Sequence, residues 1–174
     1  MLIANKFAKP DTPATDTLLL SYDARQKSRQ HLLLQSGEEF GYSLPPGTCL
    51  QDGDKLLAED GGIRRVFEIV AATEDLVQAR VDDVLHFART AYHLGNRHVK
   101  VQIGRDDPGL FLCLQPDHVL EEMLRRLHCR LTRIKSPFHP ESGAYSGHGH
   151  SPEYAQGTDN HAHETTVQKI HTFR

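Results

Sequence analysis

Short apolar segments separated by turns rich in glycine and proline occupy residues 15 to about 74. Each segment has the length of a strand, and none carries a helical repeat long enough to compete with that interpretation. The pattern therefore predicts a small all-β domain over residues 1–75. Its predicted strands span residues 17–22, 30–35, 55–58 and 65–71.

A different pattern begins near Glu74. A strand-like segment at 76–81 is followed by two aspartates, which suit a helix N-terminus by capping and by the helix dipole. A helix is predicted from there to Leu94, and Gly95 is predicted to end it by taking a left-handed conformation. The predicted buried face of this helix consists of Val84, Leu85, Ala88, Ala91 and Tyr92.

The next elements are two strands, a second helix and a last strand. Period-two alternation predicts a strand over 99–103, and a turn leads from it to a second strand at 110–114. Asp117 is predicted to cap a helix, and residues 129–135 are predicted to return as a strand. The order β-α-β-β-α-β predicts a ferredoxin-like domain over residues 76–147, an antiparallel sheet with both helices on one face.

Residues 148–174 do not continue this pattern. They contain few apolar side chains, too few to build a core, so the segment cannot offset the entropy of ordering its backbone. It is predicted to be a flexible histidine-containing tail that orders only when something binds it. The whole chain is thus predicted to be an α+β protein of two domains and a tail.

Composition and charge exclude several classes of function. The 174 residues carry a net charge of −3, which lacks the basic footprint of a nucleic-acid-binding domain. The first residues lack the apolar core of a signal peptide, and no apolar run is long enough to span a membrane. Three cysteines without a C-x-x-C spacing indicate neither a disulfide framework nor a thiolate zinc site. We expect a cytoplasmic protein with no nucleic-acid or membrane partner.

Histidine is distributed very unevenly along the chain. Residues 1–85 contain one histidine and residues 86–174 contain eleven. A neutral imidazole is the commonest metal ligand in proteins because its pKa of about 6.5 leaves a free nitrogen lone pair near pH 7. The skew predicts that the second half of the chain handles a transition metal.

His98 is the strongest single candidate for a metal ligand. The alternation that sends Val99 and Val101 towards the helices sends His98 to the opposite face of the sheet. The strand at 110–114 is apolar on both sides, so that opposite face is predicted to be a dimer interface. Across a two-fold axis, two copies of His98 would supply two imidazoles to one shared ion. The alternative is an ordinary solvated loop histidine.

The sequence around this histidine, AYHLGNRH at 91–98, closely resembles the signature of the UreE family of urease accessory proteins, which are nickel metallochaperones. One such motif is weak evidence, whereas several in the same order are hard to obtain by chance. Similar segments cover roughly residues 18–150: RQKSR at 25–29, LPPGT at 44–48, DGDKL at 52–56, DHVLEEML at 117–124, PF at 137–138, GAY at 143–145 and HGH at 148–150.

The resemblance implies a role in delivering nickel during assembly of the urease metallocentre. It implies an N-terminal β domain that binds a partner protein, a metal-binding ferredoxin-like domain and a mobile histidine-bearing C-terminus. The family's nickel ligand at the dimer interface falls on His98. His148 and His150 match C-terminal histidines that complete the coordination in members of the family.

Other histidines are candidates for auxiliary metal binding. His93 lies in the same motif as His98. His118 matches one half of a surface site found in some relatives, but Pro116 occupies the place of the other histidine here. Flexible tails raise the local ligand concentration to roughly millimolar even without a preformed site. The tail histidines predicted on that ground are His161, His163 and His171.

The expected metal is Ni(II), and Zn(II) or Cu(II) can occupy the same site, because imidazole suits all three ions and only the resemblance implies nickel. The expected partners are a second copy of the chain, with metal linking two dimers into a dimer of dimers as a further possibility, and the urease apoprotein with its accessory GTPase. Arg25, Lys27 and Arg29 alternate along a strand-like segment, so they are candidates to dock an acidic partner. The alternative is an edge strand kept soluble by charge.

Two other functional classes are the alternatives to a metallochaperone. An enzyme is not expected, because the sequence contains neither H-E-x-x-H nor a phosphate-binding G-x-x-x-x-G-K-[ST] loop. A general metal buffer or a protein-interaction module stays open. Either would bind metal without depending on His98 or on dimerisation.

Overall fold

The N-terminal part of the chain builds the first of two sheets. The structure, a computed structural model, describes residues 2–142. The elements of this part are β1 Leu2–Phe7, β2 Asp16–Leu20, α1 Tyr22–Arg25, β3 Arg29–Leu33, β4 Glu39–Ser43, β5 Lys55–Asp60 and β6 Ile63–Ala71. The six strands lie in the order β2-β6-β5-β1-β4-β3.

The predicted strand-rich character of this part is confirmed, with two strands and one helix that the sequence pattern did not predict. Strand β1 was missed because Asn5 and Lys6 interrupt its apolar residues, and β4 because Gly41 is a poor strand former. Both become strands by pairing with each other in parallel. The predicted first strand ends early, since Ser21 caps α1 by accepting a hydrogen bond from the Ala24 N–H.

The second sheet has the predicted β-α-β-β-α-β order. Its elements are β7 Thr73–Arg80, α2 Val84–Gly95, β8 Gln102–Arg105, β9 Leu110–Leu114, α3 His118–Arg126 and β10 Arg130–Pro137. The strands lie in the order β10-β7-β9-β8, and each pair is antiparallel. Asp83 and Asp117 cap α2 and α3, as predicted. The α+β class and the ferredoxin-like arrangement are therefore confirmed.

Both helices pack on one face of this sheet. Leu94 of α2 and Leu124 of α3 lie in one buried cluster with Val77, Leu112 and Leu114 of the sheet. At about 25 cal/mol per Å² of apolar surface, burial of this kind is the main stabilising term of such a domain. The predicted two-layer arrangement follows directly from the alternation along β7 and β9.

The predicted buried face of α2 is wrong except at Ala91, which packs against the core cluster of the second sheet. Phe87, Thr90 and Leu94 face the sheet, whereas Val84 and Tyr92 are largely exposed. The helix carries two apolar rows about 100° apart, and periodicity alone does not say which of them meets the sheet. The row that contains Leu94 is the buried one.

The predicted dimer interface on the other face of the second sheet is also wrong. That face is covered within the same chain by Tyr22 of α1 and by Phe138, which is fully buried. The two rings lie edge to face, with centroids 5.3 Å apart. Leu76 and Cys113 of the sheet complete this second cluster. The strand β9 is apolar on both sides because helices cover one side and this cluster covers the other.

Strand β8 spans Gln102–Arg105, so it begins three residues later and ends two residues later than the predicted strand at 99–103. None of the helices in the described range is long and apolar enough to cross a bilayer. The predicted domain limits at residues 75 and 147 remain predictions, and the tail at 148–174 lies outside the described residues.

Candidate metal-binding site

His98 lies in the turn that ends α2 and has a left-handed backbone, with a φ of +55°. Its N–H donates to the Gly95 carbonyl at 2.9 Å, and the Val99 N–H donates to the Leu94 carbonyl at 3.4 Å. This pair of bonds is the Schellman closure of a helix, in which the left-handed residue is usually glycine. Gly95 is the last residue of the helix itself. The prediction that Gly95 takes the left-handed conformation is therefore wrong.

The left-handed backbone fixes the direction in which the His98 side chain leaves the turn. Such a conformation costs a residue other than glycine about 1–2 kcal/mol, so surrounding contacts must enforce it. Leu94 and Val99 pack in the same core cluster on either side of the turn, and this apolar contact accompanies the closure. His98 itself is exposed. It lies before the start of β8, so strand alternation does not orient it, contrary to the prediction.

An exposed apolar row runs along α2 towards this turn. Val84 is 71% exposed, Leu85 70% and Tyr92 64%, and Ala88 lies between them at helical spacing. Gly95 continues the row, and a Cβ at Gly95 would meet nothing within 4 Å. We call these five residues the α2 stripe. Contiguous exposed apolar surface of this kind is typical of an interaction site.

A short segment after β10 crosses the second sheet towards the end of α2. Strands β10 and β8 form opposite edges of that sheet. Phe138 packs against Leu76 of β7 and Cys113 of β9 on the way across. We call residues 138–141 the strap.

The far end of the strap is bonded to the chain that follows His98. The Glu141 N–H donates to the Val101 carbonyl at 2.8 Å. The His139 N–H donates to Oε1 of Gln102 at 2.9 Å. No more than about 11 Å of extended chain separates Val101 from His98. The strap therefore ends close to the His98 turn.

His93 and His118 differ in their surroundings. The His93 ring is half-buried and lies edge to face against Tyr92, with centroids 5.6 Å apart. Its carbonyl accepts a hydrogen bond from the Arg97 guanidinium at 3.0 Å. His118 is the exposed first residue of α3. Their roles as auxiliary ligands remain predictions.

The predicted tail ligands lie outside the described residues. Within residues 2–142, no three side chains of histidine, cysteine, aspartate or glutamate come together in a way suited to a metal ion. His98 supplies one imidazole, and a tightly held divalent ion needs several ligands. The tail histidines concerned are His148, His150, His161, His163 and His171.

The three basic residues predicted to share an exposed strand face do not do so. Arg25 belongs to α1, and its side chain is 1% exposed. Lys27 and Arg29 are exposed, but only Arg29 lies on a strand, where its Nε donates to Oγ of Ser43 at 3.1 Å. The geometric basis of the proposed acidic docking face is therefore wrong for Arg25.

Two of the three cysteines are buried in the second sheet and its helix layer. Burial raises the pKa of the Cys113 thiol and that of the Cys129 thiol. A thiol must lose its proton to ligate a metal or to react as a nucleophile. Both residues therefore favour the protonated, structural form at neutral pH.

Sequence reasoning missed the α2 stripe and the strap. The stripe was present in the sequence as the second apolar row of the helix, and it was assigned to the core. The strap left no local signal, because its anchors, Val101 and Gln102, are remote in sequence from Glu141 and His139. Pro137 and Phe138, one of the segments that resemble the UreE family, mark the start of the strap.

Two family models together match almost the whole chain. The model for the UreE urease accessory protein, N-terminal domain, matches residues 2–72, and the model for its C-terminal domain matches residues 74–171. The first covers the six-stranded sheet, and the second covers the ferredoxin-like part and continues beyond the described residues.

Individual relatives agree with the family models. The chain is 49% identical over 177 aligned positions to a protein named urease accessory protein UreE from Dechloromonas aromatica (strain RCB), covering 100% of this chain and 99% of the relative. It is 47% identical over 143 positions to proteins of the same name from Paraburkholderia xenovorans (strain LB400) and Burkholderia vietnamiensis (strain G4 / LMG 22486). Those alignments cover 80% of this chain and, respectively, 60% and 68% of the relatives.

Proposed function

The chain belongs to the UreE family of urease accessory proteins, and on that premise we propose that it acts in urease maturation as a nickel metallochaperone. In this proposal it captures Ni(II) at His98 and hands the ion to the assembly complex formed by the urease apoprotein and the accessory GTPase. The chain itself breaks and makes no covalent bond, so it is not an enzyme. The cytoplasm is the compartment where this transfer takes place.

The observation that carries the proposal is what surrounds His98. The exposed His98 imidazole lies in the hydrogen-bonded turn that ends α2, next to the α2 stripe and close to the end of the strap. The first neighbour suits a second copy of the chain. The second suits a set of ligands that arrives on the C-terminal tail.

A homodimer through the α2 stripe explains why apolar residues are kept exposed there. Two copies packed about a two-fold axis would cover each other's stripe, since an isologous interface uses the same patch twice. Gly95 supports this arrangement. Glycine within a helix costs roughly 0.5–1 kcal/mol relative to alanine, and a Cβ at this position would meet nothing within 4 Å in the described chain. Close approach of a second copy would explain why the position has no side chain. We propose that the two-fold axis passes beside the end of α2, so that the two His98 turns meet and each contributes one imidazole to a shared ion.

The tail supplies the remaining ligands in this proposal. His148 follows Glu141 by seven residues, which span at most about 25 Å. A ligand tethered at that length has an effective concentration on the order of millimolar, so His148 and His150 can complete the shell and leave it when a partner competes. Attachment at Val101 keeps the tether short.

The choice of nickel rests on family membership. Imidazole nitrogens suit nickel, copper and zinc, and copper is bound most tightly of the three in the general affinity order. Zn(II) and Cu(II) are therefore expected to compete for the same nitrogens. Delivery to urease assembly, and not ligand type, is what makes nickel the physiological ion in this proposal.

A titration that follows metal binding and molecular mass together tests the proposal. Nickel is added to the full chain, to His98→Ala and to a chain truncated after Tyr145. We expect one tight nickel site per dimer in the full chain, its loss in His98→Ala, and weaker binding after truncation. Unchanged tight binding in His98→Ala would indicate a metal buffer or an interaction module.

A further inference from the structure

The N-terminal part of the chain meets the second sheet over a small area centred on α1. Within residues 2–142, Tyr22 is the one residue of the N-terminal part that belongs to a buried apolar cluster of the second sheet. It packs there with Leu76, Cys113 and Phe138. When two parts of one chain share so little apolar contact, relative motion between them is the expected behaviour.

Two hydrogen bonds fasten the ends of α1 to the second part of the chain. The Tyr22 N–H donates to Oε1 of Glu74, on β7, at 2.7 Å. At the other end the Arg25 guanidinium donates from Nη2 to the Phe138 carbonyl at 2.5 Å. The helix is also bonded to the N-terminal part, since the Leu50 N–H donates to the Arg25 carbonyl at 2.8 Å. Helix α1 is therefore the element that joins the two parts.

The Arg25 side chain makes this closed arrangement less stable than an apolar side chain would. It is 1% exposed, and a guanidinium stays charged in proteins. Within residues 2–142 it forms no ion pair, and its Nε is buried without a hydrogen-bond partner. Burial of an unpaired charge is strongly unfavourable, and apolar side chains of similar volume often replace buried charges without loss. Separation of the two parts would return the guanidinium to water.

The connection between the two parts is short enough to act as a pivot. Strand β6 ends at Ala71 and β7 begins at Thr73, so Ala72 alone links them. Its N–H donates to the carbonyl of Leu20, close to the start of α1. A hinge needs only a few residues at the ends of elements whose backbone angles change. Rotation at Ala72 would move α1 away from Glu74 without disturbing either sheet.

We propose that α1 is a reversible latch, which opens about Ala72 and lifts Tyr22 and Arg25 off the second sheet while both sheets stay folded. Tyr22 and Glu74 favour the closed state, and the buried charge of Arg25 favours the open state. Opening changes the orientation of the N-terminal part relative to the sheet that carries the His98 turn. The latch involves no metal, so its test and the test of the proposed function can fail separately.

Cys113 and Cys129 report on the two faces of the second sheet. Cys113 lies in the cluster that contains Tyr22, whereas Cys129 lies in the cluster beneath the helices. Opening of the latch uncovers Cys113 alone, whereas unfolding of the sheet exposes both thiols. Cys113 is 1% exposed and Cys129 is 8% exposed, so static exposure predicts the faster modification at Cys129. A faster reaction at Cys113 would therefore come from opening.

The test measures alkylation of the two thiols with iodoacetamide in the full chain, by mass spectrometry of timed samples, and hydrogen exchange of the Tyr22 amide. We expect Cys113 to react at least about tenfold faster than Cys129. The Tyr22 amide should exchange through the same opening, because its bond to Glu74 joins the two parts. Protection of that amide while Cys113 reacts would mean that the strap loosens and that the latch stays closed.

Glu74→Ala removes the acceptor of the Tyr22 N–H and so destabilises the closed state. We expect alkylation of Cys113 to accelerate about tenfold and that of Cys129 to stay within about twofold. Asp75→Ala is the matched control, because Asp75 is the next residue of β7, is 71% exposed and lies 3.4 Å from Nζ of Lys135. It should change neither rate. Equal acceleration of both thiols in Glu74→Ala would indicate unfolding of the whole sheet and would overturn the latch.

Arg25→Met tests the sign of the arginine's contribution. It removes the buried charge and keeps a long apolar side chain, so we expect Cys113 to react about tenfold more slowly and the Tyr22 amide to exchange more slowly. Faster alkylation of Cys113 in folded Arg25→Met would show that Arg25 holds α1 closed, which contradicts the proposal. If Arg25→Met does not fold, the comparison of Glu74→Ala with Asp75→Ala decides.

Discussion

The ends of α2 and α3 share one backbone structure and differ in what surrounds it. His98 and His128 both have a left-handed backbone, with φ of +55° and +60°. At the end of α3 the His128 N–H donates to Arg125 at 2.9 Å and the Cys129 N–H to Leu124 at 3.0 Å. This is the same Schellman closure, and both histidines are exposed.

Only the end of α2 has neighbours that suit a shared metal site. It adjoins the α2 stripe and the strap. At the end of α3, the preceding Leu127 carbonyl is bonded to the ring Nε2 of His86 at 2.5 Å, which ties that turn back to the start of α2. A left-handed histidine is thus a way to close either helix, and the surroundings, not the backbone, distinguish the candidate ligand.

The largest effect is expected from a substitution that disrupts the α2 stripe beside His98. Tyr92→Asp places a charge in the α2 stripe, where burial against a second copy would cost several kcal/mol. We expect the dimer to weaken by at least about 100-fold and the shared nickel site to be lost with it. Sedimentation and nickel titration measure the two effects.

Val119→Asp is the matched control for that change. Val119 is also an exposed apolar residue, 59% exposed, but lies on α3. It should leave both the mass and the nickel affinity as they are. If Val119→Asp produced a monomer and Tyr92→Asp did not, the interface would lie on α3 and the proposed interface on α2 would be wrong.

A smaller effect separates closure of the helix from binding of metal. His98→Gly and His128→Gly each remove the cost of a left-handed side chain, so each should raise the free energy of unfolding by about 1 kcal/mol. Only His98→Gly should also remove tight nickel binding. Equal stability gains with nickel binding intact in both variants would contradict the assignment of His98 as a ligand. Denaturant unfolding and metal titration provide the two readouts.

The last expected effect is a difference in thiol reactivity, which does not involve metal and reports on the end of α3. Burial raises the pKa of Cys129, which directly follows His128, so less reactive thiolate is present at neutral pH. Cys49 is only half-buried. We expect alkylation of Cys129 to be at least about tenfold slower than that of Cys49, and to accelerate as pH rises. Mass spectrometry of timed samples measures both rates, and fast alkylation of Cys129 would mean that the α3 turn opens readily.

Local signals in the sequence predicted much of the second sheet. Asp83 and Asp117 each precede an apolar helical repeat, and both cap the predicted helices because capping depends on neighbouring residues alone. The closure at His98 also had a local signal that was overlooked. Leu94 and Val99 are apolar and five residues apart, as are Leu124 and Cys129, and in both turns this pair brackets the left-handed residue, which is a histidine and not a glycine.

Contacts between segments that are distant in sequence could not be predicted from the hydrophobic pattern of the chain. Tyr22 and Phe138 pack on the face of the second sheet that was predicted to form the dimer interface. Arg25 is buried, so it does not belong to the exposed face that was predicted to dock an acidic partner. Which apolar row of α2 is buried likewise depends on where the sheet lies. The candidate ligand His98 came from its motif, whereas the surfaces that give it a role came from the three-dimensional structure.

The most direct test of the central claim is histidine-resolved NMR of the chain labelled with ¹⁵N in its imidazole rings. Zn(II) is added up to about half an equivalent per chain, the amount that one shared site per dimer requires. We predict that the His98 ring signals shift first and that those of His128 do not move, with His98→Ala and His128→Ala providing the assignments. Equal shifts at His98 and His128, or an unchanged His98 while other histidines respond, would contradict the account.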